Sequence, residues 1–202
     1  MNNIDIFTQI YENNVWGHNS SIDNSYKGTS GGGSELNQCK AYIEFVKKFI
    51  IQNKINKVVD LGCGDLQSSY LIYEGLPDIN YIGYDAYKKL IISHKKKYSK
   101  HTFVHLDFVT NKEEIESGDL CILKDVLQHL SNKSIDDLLN FIIKEKKFKC
   151  ILIINDGNQK SDNIDINNGE YRRLSVNYEP LKKFKPKIIY SYKSKQISLI
   201  SL

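Results

Sequence analysis

The sequence predicts an α/β fold in which a doubly wound, mostly parallel sheet carries helices on both faces and ends in an antiparallel hairpin. Three observations lead there. From residue 35 onward, short and nearly continuous apolar runs alternate with stretches of helical periodicity, the pattern of strands buried on both faces. The intervals between most of these runs are long enough for crossovers between parallel neighbours. The last two β-rich runs are joined only by Lys193-Ser194-Lys195, a connection suited to a hairpin.

Taken in order, residues 13–34 form a polar stretch containing Gly28, Gly31, Gly32 and Gly33. A plain spacer has no use for large rings such as Tyr11 and Trp16, so residues 1–34 are expected to form a mobile lid. Ser34 is the expected N-cap of a helix over 35–51, where Leu36, Cys39, Ile43, Val46, Phe49 and Ile50 recur at helical spacing. Strands are expected at 57–61, 80–84, 102–106, 120–123 and 150–154, with helices at 67–75, 87–99 and 134–147. The β-rich runs 187–192 and 196–202 complete the sheet. No internal repeat and no second folded domain is evident, so 35–202 is expected to be one domain.

The 202 residues are 41% hydrophobic and 26% charged, which excludes a disordered tail, a collagen-like repeat and a disulfide-stapled peptide. A formal charge of +4 is modest for a nucleic-acid binder, and no such partner is expected. No apolar run approaches the roughly 18 residues of a membrane span, and the first ten residues carry Asp5 in place of an export signal. The expectation is a cytoplasmic protein without a membrane partner; the oligomeric state stays open. Cys39, Cys63, Cys121 and Cys150 are widely spaced and read as buried thiols. His18, His94, His101 and His105 form no metal set, and no metal is expected.

Ligands of open parallel sheets bind beyond the carboxyl ends of the strands, so the residues there are the candidates. The first strand ends in Asp60-Leu61-Gly62-Cys63-Gly64-Asp65, where the glycines allow a tight turn and close approach of a ligand. Asp85 ends the second strand and suits a ribose diol. Asp107, beside Phe108, ends the third and suits an adenine amino group. Three acids point to a ligand with hydroxyls, amines or positive charge. They argue against a pyrophosphate, as does Gln67 where a dinucleotide motif would place a third glycine. Lys124, after the fourth strand, joins the candidate cofactor-binding set. Asp125 and His129 are four apart, would share a face on a helical turn, and are the candidate catalytic bases. Trp16, Tyr171, Arg172 and Arg173 are candidate substrate-binding residues, the arginines suiting a phosphate or carboxylate.

The stretch from Val58 to Asp65, with Asp85, Asp107 and the segment Asp119 to His129, resembles the motif series of class I S-adenosylmethionine-dependent methyltransferases. The resemblance implies a Rossmann-like seven-stranded sheet with a terminal antiparallel hairpin, and S-adenosylmethionine as cofactor. By it, Gly62 and Gly64 line the methionine part with Asp60 near its amino group, Asp85 holds the ribose and Asp107 the adenine. Adding Trp16-Gly17, residues 30–34, residues 124–129 and Gly169-Glu170-Tyr171-Arg172-Arg173, the chain resembles small methyltransferases of bacterial surface-polysaccharide biosynthesis, among them enzymes that methylate the phosphoramidate of capsules. It departs from them at Leu66, where that group often has Trp. The expected function is therefore methyl transfer to an oxygen of a small acceptor, either a sugar hydroxyl or an anionic phosphoryl or phosphoramidate oxygen. The alternatives are an RNA or protein methyltransferase, or a non-catalytic S-adenosylmethionine-binding module.

Overall fold

The computed structural model describes residues 2–19, 25–157 and 161–202. Seven strands form one mixed sheet: β1 (Lys57–Leu61), β2 (Asn80–Asp85), β3 (Thr102–His105), β4 (Gly118–Lys124), β5 (Phe148–Asp156), β6 (Lys187–Tyr192) and β7 (Lys195–Ser201). Their order is β3-β2-β1-β4-β5-β7-β6. The pairs β1/β2, β2/β3 and β4/β5 are parallel, whereas β7 runs antiparallel to both β5 and β6. The expected mostly parallel sheet with a terminal hairpin is the one observed. The chain divides into two compact units, Met1–Asp107 and Phe108–Leu202.

In the first unit, α1 (Asn3–Glu12), α2 (Leu36–Gln52), α3 (Tyr70–Glu74) and α4 (Lys88–Lys97) accompany the first three strands. Helix α2 buries Cys39, Tyr42, Ile43, Val46 and Ile50, the stripe its sequence spacing called for. In the second unit, α5 (Asn132–Lys144) buries Ile135, Leu138, Leu139 and Ile142, and the Ser131 hydroxyl caps it by accepting from the Ser134 N–H. Residues Leu120 to Leu123 of β4 are fully enclosed.

Several boundaries differ from expectation for local reasons. Helix α1 was not anticipated; Asn2 caps it through the Asp5 N–H. The N-cap of α2 is Glu35, because Ser34 belongs to a single 3-10 turn, Gly32–Ser34, and its carbonyl accepts from the Ser68 hydroxyl at 2.8 Å. The helix expected over 67–75 contracts to α3, since Leu66 takes φ +54° and the Asp65 carboxylate draws in the Gln67 N–H. Residues 20–24 of the expected lid lie outside the described residues. Cys39, Cys63 and Cys121 are buried free thiols, and Cys150 is partly buried. Among the described residues, no helix is long and apolar enough to cross a membrane.

Candidate functional site

The first unit concentrates acids at the carboxyl ends of its strands. After β1 the chain turns back through Gly62 (φ +82°) and Gly64 (φ +57°), conformations that favour glycine. The Gly62 and Cys63 N–H groups both donate to the Tyr84 carbonyl, at 2.8 and 2.9 Å, which ties the turn to β2. Asp85, at the end of β2, accepts from the Gly64 N–H at 3.0 Å and the Tyr87 N–H at 2.9 Å. Burial pushes the Asp85 carboxyl above its ordinary value, although these main-chain donors pull the other way. Asp60 is buried and accepts from the Tyr81 hydroxyl at 3.0 Å. Asp107 is buried and accepts from the Asn3 amide at 3.0 Å. The structure thus brings Asp60, Gly62, Gly64, Asp85 and Asp107 to the same ends of neighbouring strands.

Residues outside the expected cofactor-binding set hold this turn from outside, among them Trp16, expected to bind substrate. Asp65 accepts from the Ser30 N–H, and its own N–H donates to the Ser30 hydroxyl, both at 2.8 Å. The same hydroxyl meets Tyr11 Oη at 2.8 Å, and the Tyr11 ring stacks on Tyr87 with centroids 4.7 Å apart. Burial, then the nearby Asp85 and Asp65, push the Tyr11 phenol well above its usual range. Trp16 packs edge-on against Tyr11 at 5.7 Å. His94, buried on α4, bonds the Gly64 carbonyl through Nε2 at 2.7 Å; a carbonyl can only accept, so Nε2 carries the proton. No spacing marks these partners, since each arises from contact across more than one element.

In the second unit a separate polar cluster forms at the ends of β4 and β5 and the start of β7. Asp125 follows β4 with φ +58°, and a 3-10 turn, Leu127–His129, comes next. The α-helical turn assumed for Asp125 and His129 is therefore absent. Lys124 donates to Asp125 Oδ2 at 2.9 Å, and Lys195 donates to Asp125 Oδ1. Burial raises the Asp125 carboxyl, but the two ammonium groups together outweigh it and hold it below its ordinary value. A carboxylate so engaged stores charge and is poorly suited to take a proton. Lys195 also donates to Asp156 Oδ2 at 2.9 Å; Tyr171 Oη donates to the same oxygen at 3.2 Å, and Ser194 Oγ to Asp156 Oδ1 at 2.6 Å.

His129 Nδ1 lies 3.0 Å from the Glu170 carbonyl, which fixes the Nδ1–H tautomer of the neutral ring and leaves Nε2 as its acceptor. Burial lowers its pKa, against the opposing pull of the Glu170 carbonyl and Asp125. Arg172 departs from its expected role. Its guanidinium is buried and donates to the Ile164 carbonyl and, at 2.8 Å, to the Leu130 carbonyl, with Asp165 3.5 Å away. The fork ties its own loop to the residue that follows the 3-10 turn. Tyr171 and Arg173 are exposed.

No family model matches the sequence, and no curated protein matches it. Solved structures do resemble it. The methyltransferase domain of bacterial CtHen1-C has a TM-score of 0.62 at 12% identity, over 83% of this chain and 99% of that one. An O-methyltransferase family protein from Burkholderia thailandensis gives 0.60 at 12% identity, over 82% of this chain and 56% of that one. Human N-acetylserotonin methyltransferase, solved with S-adenosylmethionine, gives 0.56 at 14% identity, over 84% of this chain and 57% of that one. The chain spans little more than half the length of the latter two. The likeness establishes the Rossmann-like methyltransferase fold, with its C-terminal antiparallel β5-β7-β6 arrangement.

Proposed function

We propose that the protein is an S-adenosylmethionine-dependent O-methyltransferase acting on a hydroxyl of a small polar acceptor. The observation that carries the cofactor half is the pairing of a two-glycine turn with Asp85, a buried acid whose hydrogen bonds come from main-chain N–H groups. A carboxylate has about four lone-pair sites, so capacity for a ribose diol remains. The donor set fits the ligand: Asp60, Gly62, Gly64, Asp85 and Asp107 would hold its amine, ribose and adenine ends. When bound, the cofactor supplies an electrophilic methyl group on a sulfonium. The N-terminal residues joined to the turn, Tyr11 and Ser30, would help exclude water.

The acceptor follows from the second unit. An anionic phosphoryl or phosphoramidate oxygen needs positioning more than a base, and Arg172, expected for that task, is spent on main-chain carbonyls. A sugar-type hydroxyl needs a proton acceptor, and the Nδ1–H tautomer of neutral His129, set by the Glu170 carbonyl, makes Nε2 the basic nitrogen of the ring. These features favour a hydroxyl-bearing intermediate, such as a sugar of surface-polysaccharide assembly, over the phosphoramidate. Asp125 is better assigned to charge compensation than to proton transfer.

Calorimetry with S-adenosylmethionine should show binding that weakens about 10- to 100-fold in Asp85→Ala, the equivalent of one lost charge-assisted hydrogen bond. Transfer of labelled methyl to sugar acceptors should fall about 10²- to 10⁴-fold in His129→Ala, as expected for loss of a general base. Absence of cofactor binding would overturn the reading. Binding without transfer to any acceptor would favour the non-catalytic module.

A further inference from the structure

We infer that Asn3, the first residue of α1, is a positioning residue for adenine recognition: its side-chain amide sets the orientation of the Asp107 carboxylate, and with it the preference for a 6-amino purine. The inference rests on Asp107 holding the adenine of the cofactor, as proposed above. The Asn3 amide donates to Asp107 Oδ1 at 3.0 Å, joining residues 104 positions apart. Both side chains are buried, Asn3 at 8% and Asp107 at 5% exposed. Helix α1 buries three of its ten residues, Asn3, Ile10 and Tyr11. An amide is costly to desolvate unless a partner meets it, so the carboxylate explains why a polar side chain stands among so few buried ones.

Hydrogen bonds to the main chain fix where Asp107 stands. The Leu106 N–H donates to the Asp85 carbonyl at 3.0 Å, and His105 Nε2 donates to the Ala86 carbonyl at 3.0 Å, so the chain entering Asp107 is tied to the end of β2. The far end of α1 is pinned to the residues that follow β2. Glu12 accepts from the Tyr87 hydroxyl at 2.7 Å and pairs with Lys89 at 2.7 Å, and the Tyr11 ring stacks on Tyr87. The helix therefore brings Asn3 to Asp107 from an anchorage of its own. Asparagine is a neutral donor, which steers a carboxylate without cancelling its charge as Lys or Arg would. A carboxylate so steered accepts from an exocyclic amine and repels the oxygen that replaces this amine in a 6-oxo purine.

Calorimetry on the full chain with S-adenosylhomocysteine and S-inosylhomocysteine, which carry the 6-amino and 6-oxo purine, tests this. Wild type should prefer the 6-amino ligand by about 10- to 100-fold, the equivalent of one charge-assisted hydrogen bond. Asn3→Leu keeps the bulk without the donor and should shrink that preference about 5- to 10-fold. Asn3→Asp, of the same shape but turning an oxygen on Asp107, should shrink it at least as much. Asp107→Ala should abolish the preference, and adding Asn3→Leu to it should change the ratio no further, because the amide acts through that carboxylate. A general loosening of α1 would weaken both ligands alike and leave their ratio unmoved. An unchanged ratio in folded Asn3→Leu, where Asp107→Ala does change it, overturns the inference and leaves the cofactor reading standing. Should Asn3→Leu fail to fold, Asn3→Ala is read in the same way. A wild type without preference, or a preference that survives Asp107→Ala, overturns the inference together with the assignment of Asp107, while binding itself still supports the cofactor. Binding of neither ligand overturns the methyltransferase reading and the inference with it.

Discussion

Replacing Gly64 with alanine tests the turn that organises the first unit. At φ +57° a side chain is strained, and a Cβ built there falls 2.4 Å from Ser30 Oγ and 3.1 Å from Ser30 Cβ. The backbone term is about 1–2 kcal/mol for a residue forced into the left-handed region. Relieving the contact displaces the Ser30 hydroxyl from Tyr11 Oη and the Asp65 N–H, both at 2.8 Å. At about 0.5–1.5 kcal/mol for each hydrogen bond, that contributes about 1–3 kcal/mol more. Gly64→Ala should therefore lose about 2–5 kcal/mol in urea unfolding of the cofactor-free protein. In a Ser30→Gly background the contact and both bonds are already gone, so the same substitution should cost only the backbone term. The double-mutant cycle should yield about 1–3 kcal/mol of coupling. An equal cost of Gly64→Ala in both backgrounds would refute the packing of Ser30 against the turn.

Two further outcomes follow from buried cationic or titrating groups. Arg172→Lys keeps the charge but loses the fork that reaches the Ile164 and Leu130 carbonyls, so thermal unfolding should register a loss of about 2–4 kcal/mol; wild-type stability combined with weaker binding of a phosphorylated sugar would return Arg172 to an acceptor-binding role. Burial lowers the pKa of His94 from 6.5, so below that pH the unfolded chain binds a proton that the folded one resists. Its contribution to stability is complete above pH 6.5 and is lost as pH falls through the folded value. His94→Gln should flatten the decline between neutral and mildly acidic pH, and an unaltered slope in urea titrations would rule out this role.

The chain's own patterning determined the alternation of strands and helices, the terminal hairpin and the acids at the strand ends. Those features are written in neighbouring residues: apolar runs such as Val58-Val59, helical spacing from Leu36 to Ile50, and the short link before Lys195. Helix α1 is not legible because, of its apolar residues, only Ile10 and Tyr11 are buried, and the helical face of Asp125 and His129 fails because a left-handed residue interrupts it. Only the tertiary structure decided which side chains meet across distance. Ser30 lies 35 residues from Asp65, His94 lies 30 from Gly64, and Lys195 lies 70 from Asp125. It also decided that Arg172 is buried while Arg173, its identical neighbour, faces solvent. Residue identity supplies a charge or a donor wherever it stands in the chain; whether that group binds a ligand, staples a loop or compensates a carboxylate depends on the desolvation and partners that folding brings to it.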